Sequence, residues 1–65
     1  MTKYIITVTH NSVEPEEFDV PCETLRDLEA ELRAWTNYVA QGSVLEVFRF
    51  NETTLDYDLV DHIEA

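Results

Sequence analysis

Three side chains of this 65-residue chain are of types that bind metals or act as acids, bases or nucleophiles near neutral pH: His10, His62 and the single cysteine, Cys22. The two histidines stand far apart in the chain, outside the spacings that zinc sites use. Cys22 has no second cysteine for a disulfide or a CxxC pair, and acidic neighbours such as Glu23 raise the pKa of a thiol. We therefore expect no metal site, no cofactor and an inert, half-buried Cys22.

Carboxylates are the other groups that could do chemistry. Asp56, Asp58 and Asp61 form a pattern similar to a calcium loop, but the glycine that such a loop needs is missing and the segment alternates as a strand. A glycosidase-type carboxylate pair needs a cleft that desolvates one acid, which a single thin layer of structure rarely forms. Gly42 is the only glycine, so the sequence has no glycine-rich phosphate loop. These features favour a protein that is not an enzyme.

The net charge is the most unusual property of the composition. Fourteen Asp and Glu residues against four Lys and Arg residues give a formal net charge of -10. Soluble small domains usually carry a net charge of magnitude about 2 to 8, so the acidity exceeds what solubility requires. Repulsion from the phosphate backbone disfavours direct binding to nucleic acid. A positively charged partner is favoured instead.

The stretch TLRDLEAELRAW places acidic residues between leucines at helical spacing. Glu29 can pair with Arg26 and with Arg33, three and four residues away, which is ordinary for a helix surface. Asp27 and Glu31 stand four residues apart with no cation beside them, so this pair repels itself. We expect these two uncompensated carboxylates to contact a basic partner.

Two further acidic groups occupy the predicted hairpins and lack basic neighbours. One surrounds Pro15, and the other follows the polar turn that begins at Asn51. An exposed aromatic side chain near these acids, Tyr38 or Tyr57, is expected to anchor the contact, since tyrosine is enriched in binding hot spots. Together with the helix pair, the acidic side chains expected to bind the partner are Glu14, Glu16, Glu17, Asp27, Glu31, Asp56 and Asp58.

The sequence gives no sign of a membrane or secreted protein. It has no apolar run near the roughly 18 residues of a membrane-spanning helix, and its first residues lack the apolar core and cleavage site of a signal peptide. With 45% hydrophobic residues, the chain has the composition of a folded domain. We expect a cytoplasmic protein that does not contact membranes.

Four strands are predicted from segments in which apolar and polar residues alternate. They cover residues 3–10, 17–20, 43–50 and 55–59, and polar turns separate the members of each pair. The tail, residues 60–65, fits both an extension of the last strand and one helical turn, and the sequence leaves both open.

A helix is predicted over residues 25–40. Thr24 and Asp27 resemble a capping box at its start, and Gly42 supplies a left-handed stop after its end. The helix presents one apolar stripe to the core, formed by Leu25, Leu28, Leu32, Trp35 and Val39.

The elements together predict one α+β domain over residues 1–65, in ββαββ order, with an antiparallel sheet and one helix packed on one face. This order resembles that of β-grasp domains, which include ubiquitin-like and immunoglobulin-binding modules.

A short, strongly acidic α+β chain of this kind resembles the small inhibitors that phages encode against bacterial defence, the anti-CRISPR and DNA-mimic proteins. The resemblance concerns size, acidity and organisation over the whole chain, and no motif of these families is matched. It implies a non-enzymatic inhibitor in the host cytoplasm that binds the positively charged nucleic-acid-binding surface of a host defence complex.

The alternative is a β-grasp-like interaction or adaptor module. Such a module would pair its sheet edge with a partner or form a homodimer that enlarges a thin core, and its acids would serve solubility alone. Binding of the mimic type weakens steeply with salt because screening shortens the Debye length, whereas edge pairing does not.

Overall fold

The alternating segments form four strands, and one helix lies between the second and the third strand in the sequence. The computed structural model describes residues 2–10, 16–39 and 42–64. It confirms the predicted α+β fold and its ββαββ order. The elements are β1 (Tyr4–His10), β2 (Glu16–Cys22), α1 (Leu25–Val39), β3 (Ser43–Asn51) and β4 (Asp56–Ile63).

The strands form one sheet in the order β2-β1-β3-β4, and every neighbouring pair is antiparallel. Each hairpin contributes an outer and an inner strand, and the hairpins join where β1 pairs with β3. α1 therefore connects an edge strand, β2, to an inner strand, β3. This pairing differs from that of β-grasp domains, in which the first and last strands are parallel neighbours.

Two strands run further than the sequence pattern predicts. β2 continues through Pro21 to Cys22, and an edge strand tolerates a proline that an inner strand would not. β4 continues to Ile63, so the tail extends the strand and the helical alternative is wrong. The β3–β4 register shifts between Val47 and Phe48, which leaves Val60 as the extra residue of a β-bulge.

The core lies between α1 and one face of the sheet. Phe18, Val20, Leu32, Trp35 and Ile63 are among the partly buried side chains that pack against it. Cys22 is buried, not half-buried as the sequence predicts, because β2 extends far enough to place it under the helix. The fully buried hydrophobic residues are Ile6, Val8, Cys22, Leu28, Leu45 and Val47.

The start of α1 has the predicted cap. The Asp27 amide donates to Thr24 Oγ1 at 3.1 Å, and the Leu28 amide donates to the Thr24 carbonyl at 3.0 Å, as expected of an N-cap threonine. Leu25 was expected in the apolar stripe, but it is 57% exposed because it lies one turn before Leu28, the first helix residue to reach the core. After the helix, Gly42 has a φ of 91°, a conformation that favours glycine.

The turn between β3 and β4 is organised by the side chain of Asn51. Its Oδ1 accepts the amides of Thr53 and Thr54 at 2.9 and 3.3 Å, and its Nδ2 donates to Asp58 Oδ2 at 2.9 Å. The turn ends at Leu55, whose φ is 58° and whose side chain is 76% exposed.

The second face of the sheet carries the side chains that alternate with the core residues. Among the described residues, no helix or strand covers this face. Ile5 lies opposite both Pro21 and Phe48, and Phe48 lies opposite Leu59. One row of apolar residues therefore crosses all four strands on an uncovered face.

Candidate functional site

Acidic residues of β2, of α1 and of the segment between them lie at the β2 edge of the sheet. The pKa of Cys22 is raised, first by burial and then by the nearby carboxylates of Glu31, Asp27 and Glu23. Asp27 and Glu31 therefore lie on the side of α1 near Cys22, and Glu23, which precedes the helix, lies on that side as well, as their spacing predicts. β2 is itself an edge strand and adds three more acids. We call this group the acidic edge: Glu16, Glu17, Asp19, Glu23, Asp27 and Glu31.

Several carboxylates of the acidic edge are positioned by neighbouring side chains. Trp35 Nε1 donates to Glu31 Oε2 at 3.1 Å, and Thr7 Oγ1 donates to Asp19 Oδ1 at 3.0 Å. Thr2 Oγ1 donates to Glu23 Oε1 at 3.3 Å. Glu31 thus has a structural role that the sequence analysis missed, although a spacing of four residues in a helix brings the two side chains together.

The acidic edge is not neutralised by the chain's own Lys and Arg residues. In the described ranges 2–10, 16–39 and 42–64, the ion-pair contacts within 4.0 Å all involve His62. The predicted pairs of Glu29 with Arg26 and Arg33 are therefore not formed. Exposed pairs of this kind are worth at most about 1 kcal/mol, too little to hold long side chains in one geometry.

The third predicted acidic group lies at the opposite edge of the sheet. Asp58 accepts Asn51 Nδ2, as described above, and Asp56 Oδ1 accepts the Tyr57 amide at 2.8 Å. β2 and β4 are separated by three strand spacings, or about 14 Å. Of the predicted contact residues, Asp27 and Glu31 lie near Cys22, Glu16 and Glu17 lie at the start of β2, and Asp56 and Asp58 lie on β4 at the opposite edge of the sheet.

Two of the predicted contact residues fall outside what the structure describes: Glu14 and the side chain of Tyr38. The second predicted anchor, Tyr57, is half-buried. Its hydroxyl donates to the Thr2 carbonyl at 2.8 Å, and its ring meets Phe50 edge-on with centroids 5.3 Å apart. Tyr57 therefore holds the start of the chain against β4.

Two basic side chains lie together on a different part of the molecule. Lys3 and Arg49 line an open cleft of about 630 Å³ whose other walls include Tyr4, Asp58 and Val60. These are two of the four Lys and Arg residues of the chain; the other two, Arg26 and Arg33, lie on α1.

A histidine–serine contact also emerges that the sequence analysis did not identify. His10 Nδ1 lies 2.6 Å from Ser43 Oγ, because β1 and β3 place the two residues opposite each other. Ser43 is only 3% exposed, so its hydroxyl cannot reach a substrate carbonyl from solvent. The contact satisfies a buried hydroxyl, and no sequence spacing could have revealed it.

His62 contacts two carboxylates. Its Nε2 lies 3.4 Å from Glu64 Oε2 and its Nδ1 lies 3.5 Å from Glu46 Oε2. Hydrogen bonding to Glu64, and then to Glu46, raises the pKa of His62 above the ordinary value of 6.5. Protonation of His62 therefore favours the folded chain.

We expect the contribution of His62 to stability to be fully present below about pH 6.5 and to disappear as the pH rises through its raised folded-state pKa. An NMR titration of the His62 ring measures that pKa. Glu46→Gln should lower it, whereas Glu52→Gln, at the far turn, should leave it unchanged. A His62 pKa at or below 6.5 in the wild type would contradict the contacts.

The thiol of Cys22 offers a direct measure of how the acidic edge converges. Neutralising two of its acids with Asp27→Asn and Glu31→Gln should lower the pKa of Cys22, measured by thiolate absorbance against pH. The remaining shift should come from burial and from Glu23. Glu29→Gln serves as the control because Glu29 does not contribute to the Cys22 shift. If all three substitutions lowered the pKa of Cys22 equally, the shift would come from the overall negative charge of the chain and not from a local cluster of carboxylates.

Among the described residues, three or more His, Cys, Asp or Glu side chains are nowhere grouped so that they could hold a metal ion. Within the same ranges, no helix combines the length and apolar character needed to cross a membrane. Comparisons of the chain with protein-family models, with curated proteins and with solved structures give no match.

Proposed function

We propose that the protein is a non-enzymatic inhibitor whose acidic edge binds the positively charged nucleic-acid-binding surface of a host defence complex, as DNA-mimic and anti-CRISPR proteins do. One observation carries the proposal. Glu23, Asp27 and Glu31 lie close enough to the buried thiol of Cys22 to raise its pKa, at the end of an edge strand that carries three more acidic residues.

The acidic edge is an extended surface, which favours a groove over a point-like ligand. Acids four residues apart along a helix are spaced by about 6 Å, and acids two residues apart on a strand by about 6.7 Å. Both spacings are close to two phosphate steps of a duplex strand, at about 3.4 Å each. An extended series of negative charges is what a nucleic-acid-binding groove accommodates.

The charge of the edge is available to a partner. No Lys or Arg nitrogen lies within 4.0 Å of a described carboxylate oxygen. The resulting negative field increases the association rate with a positive surface and disfavours acidic partners. Once docked, carboxylates form charge-assisted hydrogen bonds with Arg and Lys.

The alternative of a module that pairs its sheet edge has less support. At the β4 edge, the amides of Tyr57 and His62 donate to the carboxylates of Asp56 and Asp61 at 2.8 and 2.9 Å. At the β2 edge, Pro21 has no amide to donate. Both edges are thus modified against strand addition, in ways that natural sheets commonly use.

Capture from host-cell lysate tests the proposal. The wild type is compared with Glu16→Gln/Glu17→Gln/Asp27→Asn and with a control of equal net charge, Glu29→Gln/Glu52→Gln/Glu64→Gln. We expect the wild type and the control to capture a nucleic-acid-binding protein at 50 mM salt and to displace its nucleic acid at one-to-one stoichiometry. The acidic-edge variant should fail in both assays.

Binding should also be lost between roughly 50 and 500 mM salt, over which the Debye length shortens from more than 10 Å to a few Å. Asp56→Asn/Asp58→Asn then reports whether the partner reaches the opposite edge. Capture that withstands high salt, or that survives neutralisation of the acidic edge, would overturn the proposal.

A further inference from the structure

The uncovered face of the sheet has an organisation of its own. Its apolar row consists of Pro21, Ile5, Phe48 and Leu59, one residue from each strand. Leu59 is 52% exposed, Pro21 is exposed, and the other two are half-buried. The rings of Phe50 and Tyr57 extend the apolar surface on one side. A contiguous apolar surface of this kind on an uncovered face commonly marks an interaction site.

A second row crosses the same face, two residues away along β2, β1 and β3 and three residues away along β4, where the β-bulge adds one. It consists of Asp19, Thr7, Glu46 and His62, and we call it the carboxylate row. It lies about 6.7 Å from the apolar row, and its two carboxylates are two strands, or about 10 Å, apart. Asp19 is held by Thr7 and Glu46 contacts His62, so both carboxylates are positioned before any partner arrives.

The size and charge of the face decide between its possible occupants. A stable interface uses roughly 20 to 30 residues on each side, whereas the apolar surface comprises six side chains. An interface of that size between two copies would extend beyond the apolar surface and include acidic residues of both. Two chains that each have a net charge of -10 would repel each other there. A partner that carries apolar side chains beside Lys or Arg matches both rows without this repulsion.

We infer that the uncovered face binds a segment of the basic partner in which apolar side chains are flanked by Lys or Arg. The apolar side chains pack on the apolar row, and two cations about 10 Å apart bind Asp19 and Glu46. This inference rests on the proposed function, because it concerns the same partner. It adds that affinity comes from the sheet face, to which Asp19 of the acidic edge also belongs, while the other acids of that edge govern encounter and charge selection.

Two synthetic helical peptides test the inference. In the first, a leucine stripe is flanked by lysines; in the second, alanine replaces each leucine and the charge is unchanged. The leucine peptide should bind the wild-type protein about tenfold more tightly than the alanine peptide at equal salt, which corresponds to burial of about one large apolar side chain.

Two neighbouring residues of β4 supply matched variants. Leu59 belongs to the apolar row, whereas Val60 lines the cleft beside Lys3 and Tyr4, and the two are 52% and 54% exposed. Leu59→Thr should abolish the advantage of the leucine peptide, while Val60→Thr should preserve it. Both substitutions keep strand propensity at an exposed site, and circular dichroism verifies that each variant is folded.

The outcomes separate this inference from the proposed function. Equal affinity for the two peptides, or an advantage that Leu59→Thr leaves intact, would overturn the inference while the electrostatic proposal stands. Failure of both peptides to bind at 50 mM salt would overturn both. A two-chain species in sedimentation that Leu59→Thr dissociates would show that a second copy occupies the face, which also overturns the inference.

Discussion

Replacing Leu45 with alanine is expected to lower the free energy of unfolding by about 2 to 5 kcal/mol. Leu45 is 0% exposed and belongs to a core that comprises six buried hydrophobic residues among those the structure describes. A domain of this length has a total stability of roughly 3 to 10 kcal/mol, at about 0.05 to 0.15 kcal/mol per residue. The substitution should therefore leave a large fraction of the protein unfolded at 37 °C.

The helix supplies a matched control for this change. Leu25→Ala makes the same substitution at a side chain that is 57% exposed, so the expected loss is below about 0.5 kcal/mol. Urea unfolding followed by circular dichroism compares the two variants. Similar losses would show that the sheet face at Leu45 is not the principal core.

Trp35→Ala is the second substitution with a large expected effect. The indole packs against Phe18 with ring centroids 5.1 Å apart and donates to Glu31. Together with Leu28 and Leu32, it attaches α1 to the sheet. Because Trp35 is half-buried, we expect a loss of about 2 to 3 kcal/mol, less than the roughly 3 to 5 kcal/mol of a fully buried tryptophan.

Graded variants separate ring packing from the hydrogen bond. Trp35→Phe keeps a ring beside Phe18 and should lose about half as much stability as Trp35→Ala. Glu31→Gln keeps an acceptor for the indole and should be nearly neutral, whereas Glu31→Ala should cost about 1 kcal/mol. If Glu31→Gln were as destabilising as Glu31→Ala, the charge of Glu31 would matter more to the fold than its hydrogen bond. Urea unfolding followed by circular dichroism measures all four variants.

The elements could be predicted from the sequence because each of them carries a local pattern. β1 alternates cleanly, and the leucines and tryptophan of α1 recur at helical spacing, so the type and order of these elements follow from periodicity alone. Thr24 marked the start of the helix correctly. Gly42 has the positive φ expected of a stop, while residue 40, the predicted last residue of the helix, lies outside the described residues. The pairing of β1 with β3 could not be read in the same way, since periodicity identifies strands but not their distant neighbours.

The tail was ambiguous for a reason that the β-bulge explains. In a regular strand, Leu59 and Ile63 would point to the same face because they are four residues apart. The extra residue at Val60 reverses the alternation, so Leu59 points to the uncovered face and Ile63 packs on the core. A strand that changes phase loses the period of two and comes to look partly helical.

The acidic surface was predicted in composition but not in arrangement. The spacing of Asp27 and Glu31 placed them on one side of α1, and the raised pKa of Cys22 agrees. The sequence could not place β2 and β4 at opposite edges, which separates Asp56 and Asp58 from the remaining predicted contacts. Nor did it reveal that Glu31 and Asp19 are held by neighbouring side chains.

The pairing of β1 with β3 has a consequence for folding during synthesis. When the first hairpin emerges from the ribosome, one side of β1 is still unpaired. That side can pair only with β3, which is synthesised after α1. Contacts between segments so distant in sequence close slowly because the intervening chain must first be ordered. The nascent chain therefore completes its central ladder, the pairing of β1 with β3, only after α1 and β3 have been synthesised.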